Sequence, residues 1–264
     1  MGTGWLIAMA LTGLLTVAGV VLWRAPASFA DLALERFTAG RIRLADASGS
    51  IWQGRGRLVL ADVREASADA PADMAASVPG VVIPGLFDWQ ISPWSLLVGV
   101  LDARIEHDSM REPVILTGRA GELRATPGEL RLPQVALDRL GSPWNTIRPT
   151  GSLTVSWDNM TLRSGRFEGR AAIELSQVAS ALTPVRPLGA YRIEAVGSGE
   201  QAKVTMSTLS GPLRLDGSGV WNARSGLRFT AQAMADEPER ARLSPLLGLL
   251  GRREGELTII KIGA

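Results

Sequence analysis

From Arg41 onward apolar and polar residues exchange places every second position, and this alternation constrains the fold more than any other property of the chain. Successive side chains of a strand point to opposite faces, so a period of two describes a strand with one buried side. The clearest case runs from Phe167 to Leu175. Phe167, Gly169, Ala171, Ile173 and Leu175 share one face, and Glu168, Arg170 and Glu174 lie on the other. Phe87–Ile91 and Leu153–Trp157 repeat the pattern. Further strands are expected at Leu58–Leu60, Val98–Ile105, Val114–Gly118, Tyr191–Val196, Lys203–Met206, Leu213–Leu215, Leu227–Ala233 and Leu257–Ile262. Short Gly/Ser/Asp/Asn clusters separate them, such as Ser164-Gly165, Gly197-Ser198-Gly199 and Asp216-Gly217-Ser218-Gly219. Loops of this length suit antiparallel meanders, because parallel crossovers need a dozen or more residues. The expected class is mainly β: a curved, mostly antiparallel sheet with a few short helices, preceded by an N-terminal transmembrane helix.

That helix is read from Trp5 to Trp23, nineteen residues without a charged side chain. At 1.5 Å per residue it reaches roughly 28 Å, close to the ~30 Å hydrocarbon core of a bilayer. A Trp at each end fits the two interfaces, and Arg24 ends the run. Two other readings compete. Ala25-Pro26-Ala27 has the small-x-small form of a signal-peptide cleavage site, although no basic residue precedes Trp5, and the run is also compatible with a buried soluble helix. Arg24 alone argues mildly against translocation of the residues C-terminal to it, yet long domains cross largely regardless of charge.

Ser28-x-x-Asp31 has the form of a capping box, with Phe29, Leu32, Ala33, Arg36 and Phe37 at helical spacing and Gly40 as a stop. A juxtamembrane amphipathic helix is expected over 29–39, its apolar stripe resting on the domain or on lipid. Two later helices are expected at Gln177–Leu182 and Pro238–Leu250. The second carries Leu243, Leu246, Leu247 and Leu250 on one face, with Gly251 ending it. Ala66 to Ala76 is low in complexity and reads as a loop.

Composition excludes several functions. The 28 basic and 26 acidic residues are scattered, giving a net charge of +2, with two lysines and one tyrosine. Nucleic-acid binding needs clustered cations with stacking aromatics, so no nucleic-acid partner is expected. The absence of cysteine removes disulfides, thiol nucleophiles and thiolate metal sites. The one histidine, His107, stands in Glu106-His107-Asp108 beside a turn, where it reads as solvated and not as a metal ligand. No metal and no cofactor are expected. There is no G-x-S-x-G elbow and no phosphate-cradling G-x-x-x-x-G-K-[ST], and carboxylate pairs such as Asp236/Glu237 read as solvated turns. The chain does not read as an enzyme.

The tryptophans are more informative. Of the eight, Trp5 and Trp23 bracket the anchor, and the others fall in Gly49-Ser50-Ile51-Trp52-Gln53-Gly54, Trp89-Gln90-Ile91-Ser92-Pro93-Trp94, Ser142-Pro143-Trp144, Gly151 to Trp157, and Gly217 to Trp221. Gly, then an alternating strand, then Trp suggests a loosely repeated unit, too weak to count as a proven repeat. Such residues either plug a sheet face with the indole N–H on backbone, or contact a partner or lipid.

The N-terminal run, the box at 49–54 (Gly49, Trp52, Gly54), the segment Trp89 to Gly99 with Pro93 and Trp94, Gly151 to Trp157 and Leu246 to Arg253 together resemble protein N of the bacterial type II (general) secretion pathway. The resemblance covers nearly the whole chain. It implies a single-pass inner-membrane protein: residues 1–4 in the cytoplasm, an anchor at 5–23 (Trp5, Trp23, Arg24), a juxtamembrane helix at 24–40 and a periplasmic β-rich domain at 41–264. The implied role is accessory, through protein contacts in the export of folded proteins, with platform or pseudopilus subunits as partners and lipids met through the anchor. Gly49, Trp52, Gly54, Trp89, Pro93, Trp94, Trp157 and Trp221 are the candidate contact or motif residues. A second reading is a lipid-binding or lipid-transfer module resembling the AsmA-like envelope proteins. There Phe167, Ala171, Ile173 and Leu175 would line an open apolar groove able to hold acyl chains.

Overall fold

The computed structural model describes residues 24–38, 40, 42–61, 80–136, 144–222 and 225–263. The anchor expected at 5–23, including Trp5 and Trp23, and the loop expected at 66–76 lie outside the described residues. Among the described residues no helix is long and apolar enough to cross a membrane.

Among the described residues seventeen strands join in one sheet. The first seven are β1 (Ile42–Gly49), β2 (Gln53–Ala61), β3 (Gly80–Val82), β4 (Phe87–Ile91), β5 (Val100–His107), β6 (Val114–Arg119) and β7 (Glu122–Ala125). The middle holds β8 (Gly128–Ala136), β9 (Pro149–Trp157), β10 (Met160–Arg163), β11 (Arg166–Ser180) and β12 (Gly189–Gly199). The last are β13 (Gln201–Ser210), β14 (Leu213–Asn222), β15 (Gly226–Ala235), β16 (Arg252–Glu254) and β17 (Leu257–Ile262). Every pairing among the described residues is antiparallel and most join chain neighbours, as the short loops require. β11 is long enough to pair with both β9 and β10 along one side. The sheet is open: among the described residues β1 pairs only with β2, β8 only with β9, and β17 carries only the short β16 beyond β15.

The alternation sorts side chains cleanly. One apolar core gathers Phe87, Leu130 and Leu132 with Leu58, Ile105, Val155 and Trp157. A second, towards the C-terminus, gathers Leu213, Ala233, Leu243, Leu246 and Leu247. The opposite face carries cross-strand ion pairs at registered positions, Arg55 with Asp88 at 3.2 Å and Arg192 with Glu174 at 2.6 Å. Such exposed pairs contribute little stability, and their consequence is a wet face.

Among the described residues four α-helices decorate this frame: α1 (Ser28–Thr38), α2 (Pro93–Leu97), α3 (Trp144–Ile147) and α4 (Arg240–Leu250). α4 buries Leu243, Leu246 and Leu247 over the second core, as its leucine spacing predicts. α1 covers the edge of β1. Asp31 accepts hydrogen bonds from Leu44 N (2.7 Å) and from Arg43, and Thr38 Oγ1 accepts from Ile42 N at 3.0 Å. A row of edge N–H groups is thereby closed to other strands.

Several expectations need correction. Ser28 lies within α1, and Asp31 serves β1 and not a capping box. Phe29 and Leu32 face outwards, while Ala30, Ala33 and Leu34 turn to the sheet. The strand expected at Val98–Ile105 begins at Val100, because Ser92 caps α2, Pro93 occupies its first turn, and Val98 and Gly99 close it. The helix expected at Gln177–Leu182 is absent. Gln177 sits at φ +53 in a bulge of β11, and Ala179 and Ser180 continue pairing with β9.

The Asp31 contact makes one expected outcome specific. Burial pushes its carboxyl pKa up, but the Arg43 and Leu44 hydrogen bonds and the Arg43 charge outweigh this, and the value lies below the usual carboxylate one. A folded-state value below the unfolded one contributes stability above the unfolded pKa of ~3.9, lost as pH falls through the folded value. The protection of the Leu44 amide, its exchange rate taken relative to that of an unfolded peptide at the same pH, is therefore expected to fall below about pH 4, and Asp31→Asn removes that dependence. An unchanged profile in the variant contradicts it.

Candidate functional site: an apolar groove beside the start of the domain

The strands turn at two ends of the sheet, and the first end gathers features that lie far apart in the sequence. Ala25 O accepts from Ile51 N at 2.9 Å, and Ala27 N donates to Gly49 O at 3.1 Å. Trp52 O then accepts from Ile91 N at 2.6 Å, and Ser92 N donates to Asp102 O at 2.9 Å. Arg24, the first described residue, is exposed here. The point where the chain arrives, the 49–54 box and the α2 turn are hence neighbours.

Within the box, each glycine has a steric reason. Gly49 sits at φ +92, and a Cβ there would meet Gln53 O at 2.6 Å. Gly54 pairs with Trp89, whose ring occupies the space a Cβ would take, 2.5 Å from it. Trp89 is 8% exposed, and its indole N–H donates to Ile51 O at 3.1 Å. The same device recurs at Gly128 and Trp157, paired in register, with the Trp157 indole donating to Thr126 O at 3.0 Å. An aromatic ring folded over a glycine on the adjacent strand covers backbone that the glycine leaves bare. Trp89 and Trp157 are thus plugs of the apolar face. Trp94 and Trp221 are not, being 68% and 36% exposed.

Beside Trp89 an apolar groove of about 890 Å³ opens on the inner face. Leu34 and Ala33 of α1 form one wall, Leu101 and Ile105 of β5 and Leu116 of β6 the floor, and Leu162 of β10 the far side. Register explains the assembly: Leu101 faces Gly118, Gly118 faces Leu123, and Leu123 faces Leu162. Its volume is that of a small-molecule site, and its charged lining residues, Arg119 and Glu122, come from the rim at the β6–β7 turn.

Phe167, Ala171, Ile173 and Leu175 stand one strand further along the same face. Phe167 pairs with Leu162, and Ala171, Ile173 and Leu175 pair with Trp157, Val155 and Leu153. All four are half-buried, and none lines the groove itself. The groove residues escape sequence reading because they come from five separated segments. The available signal was the alternation Leu101, Ala103, Ile105, combined with an apolar α1 stripe in need of a partner.

His107 is also placed differently from its expected solvated state. It is 6% exposed, with Ser109 N donating to Nδ1 at 2.9 Å and Nε2 3.0 Å from Pro84 O. A backbone N–H can only donate, so Nδ1 accepts and Nε2–H donates to the carbonyl. Its ring lies 4.3 Å from that of Phe87. His107→Ala is expected to cost about 3 kcal/mol, since it empties a packed site and strands two backbone groups. A melt within 1 °C of the parent contradicts this. Among the described residues no cluster of His, Asp or Glu could hold a metal ion.

No curated protein matches the chain, and no solved structure does. A family model described as type II secretion system (T2SS), protein N, matches residues 40–258. That span takes in the box at 49–54, both tryptophan plugs, the groove strands and α4, and it carries involvement in type II secretion with it. This chain belongs to the T2SS protein N family.

Proposed function

We propose that the chain is an accessory component held in the bacterial inner membrane by Trp5–Trp23, with its β-domain in the periplasm. It acts through protein contacts in the export of folded proteins and not as an enzyme. One observation carries the mode of contact. The β1 edge is closed by Asp31 and Thr38, whereas at the C-terminal edge the three-residue β16 covers only the start of β17, its register ending at Ile259. Ile260 to Ile262 pair with β15 on their inner side, and among the described residues no strand lies on their outer side. Strand addition at this edge is a natural docking mode for a platform or pseudopilus subunit. A photo-crosslinking residue at Ile262, 45% exposed, is expected to capture such a subunit in cells, and deletion of the gene to reduce export. Unchanged export with an altered lipid distribution overturns the reading.

That outcome would favour the second reading, an AsmA-like lipid-binding module. The observation supporting it is the apolar groove. It lies beside, and not on, Phe167, Ala171, Ile173 and Leu175, the residues expected to line such a groove.

A further inference from the structure

We propose that the groove receives one acyl chain of a membrane phospholipid, and that the α2 turn rests in the bilayer interface and holds the groove mouth against the lipid. This rests on the reading of Trp5–Trp23 as a membrane anchor.

Three observations converge. The first is the turn itself. From Ile91 to Leu101 no residue is charged, yet Trp94, Leu97 and Val98 are 68%, 77% and 76% exposed. A tip of this composition, with a tryptophan among aliphatic residues, matches the chemistry of the membrane interface. Phe29 and Leu32 of α1, 51% and 41% exposed, add to the apolar surface that follows the anchor.

The second is position. The uncharged run ends at Trp23, and two residues later Ala25 is hydrogen bonded to Ile51, in the turn whose Trp52 bonds to Ile91. An anchor leaving the bilayer at Arg24 places this end of the sheet at the membrane surface. The exposed turn then needs no further partner to explain its composition.

The third is the groove's direction. Ile51, Ile91, Leu96 and Gly99 line it at the end where the chain arrives. Leu58, Phe87 and Ile105 line it deeper, where they join the first apolar core. The charged lining residues, Arg119 and Glu122, stand at the β6–β7 turn of the same membrane-side end. An apolar interior closed by core and open towards a bilayer fits a chain entering tail first. A polar or peptide ligand would leave its hydrogen-bonding groups unmet there.

The test uses the full chain in vesicles of phosphatidylethanolamine and phosphatidylglycerol, with a trace of phosphatidylglycerol bearing a diazirine in one acyl chain. After irradiation, adducts are mapped by mass spectrometry. The expected result is adducts on β4, β5 and β6 as well as on Trp5–Trp23. Ala33→Trp, which fills the groove from α1, is expected to reduce the groove adducts at least fivefold and to leave those on the run unchanged. Leu101→Asn, on the floor, is the second variant, so that poor folding of the first decides nothing. Leu97→Glu is expected to reduce groove labelling by expelling the turn from the interface. Adducts on the run alone overturn the groove proposal and leave the anchor standing, while adducts on neither overturn both. Labelling by diazirine palmitate but not by the phospholipid overturns the assigned source. A disulfide forming between Leu14→Cys and Leu116→Cys in this otherwise cysteine-free chain would put the run itself in the groove, and also overturns the proposal.

Discussion

Trp89→Ala is expected to destabilise the domain by about 4 kcal/mol, within the range for emptying a large aromatic site. With domain stabilities of ~5–15 kcal/mol this is a large fraction, and it lowers the melting temperature by about 10 °C at this size. Three losses add. The ring is 8% exposed, so its burial is forfeited; Ile51 O loses its indole donor; and Gly54 loses the group covering its backbone. The converse change tests the pairing. Gly54→Ala places a Cβ 2.5 Å from the Trp89 ring and 2.7 Å from Ser48 O, an overpacking expected to cost about 2 kcal/mol. Because the ring is one of the clashing groups, the double variant should be more stable than the sum of the singles predicts, by about 1 kcal/mol. Strict additivity in urea melts would show that the ring and the glycine do not act as a unit.

This pair also shows how far the sequence could be read. Phe87–Ile91 and Gly49–Gly54 were both legible, the first by alternation and the second as a box, but nothing in either says that residues 54 and 89 are opposite one another. Register is set by the whole ladder from Gly56 and Phe87 to Gln53 and Gln90. Where local chemistry alone decides the structure, the reading succeeded: α4 lies on its leucine face, and Phe167–Leu175 is part of a strand. It failed where a tertiary contact outweighed a local signal. The stretch expected as a helix at Gln177–Leu182 instead begins with a bulge of β11, beyond which Ala179 and Ser180 stay paired with Thr150 and Pro149. His107 looked solvated beside its turn, and only the packing of Gly85 and Phe87 around it shows otherwise.

The groove was the least legible feature. Leu34, Leu101, Leu116 and Leu162 are ordinary alternating or helical apolar residues, and any of them would read as core. What makes them a groove is the direction α1 takes after Gly49 and Ala27 are joined, and that direction depends on Asp31 binding the β1 edge. The exposed Trp94 and Leu97 were visible as motif residues, but not as exposed ones, since sequence fixes the type of a side chain and not its neighbours.

Leu246→Ala is the substitution that best separates the two ends of the molecule. Leu246 is 1% exposed and Leu243 0%, and both lie in the C-terminal core with Ala233, Leu213 and Ile260. A cavity there is expected to cost about 3–4 kcal/mol, because a helix held by strands on one side relaxes little around it. The loss should be local. Hydrogen exchange is expected to accelerate in β15, β16 and β17, which α4 packs against, while β4, β5 and β6 keep their protection. If the β17 edge is where another secretion component docks, export falls with this variant even at temperatures where the domain remains folded. Lipid labelling of the groove should not fall with it, since Leu246 belongs to the core that the groove does not touch. Export and labelling lost together, with exchange accelerated throughout, would mean that the sheet unfolds as one unit and that its two ends cannot be assigned separate roles.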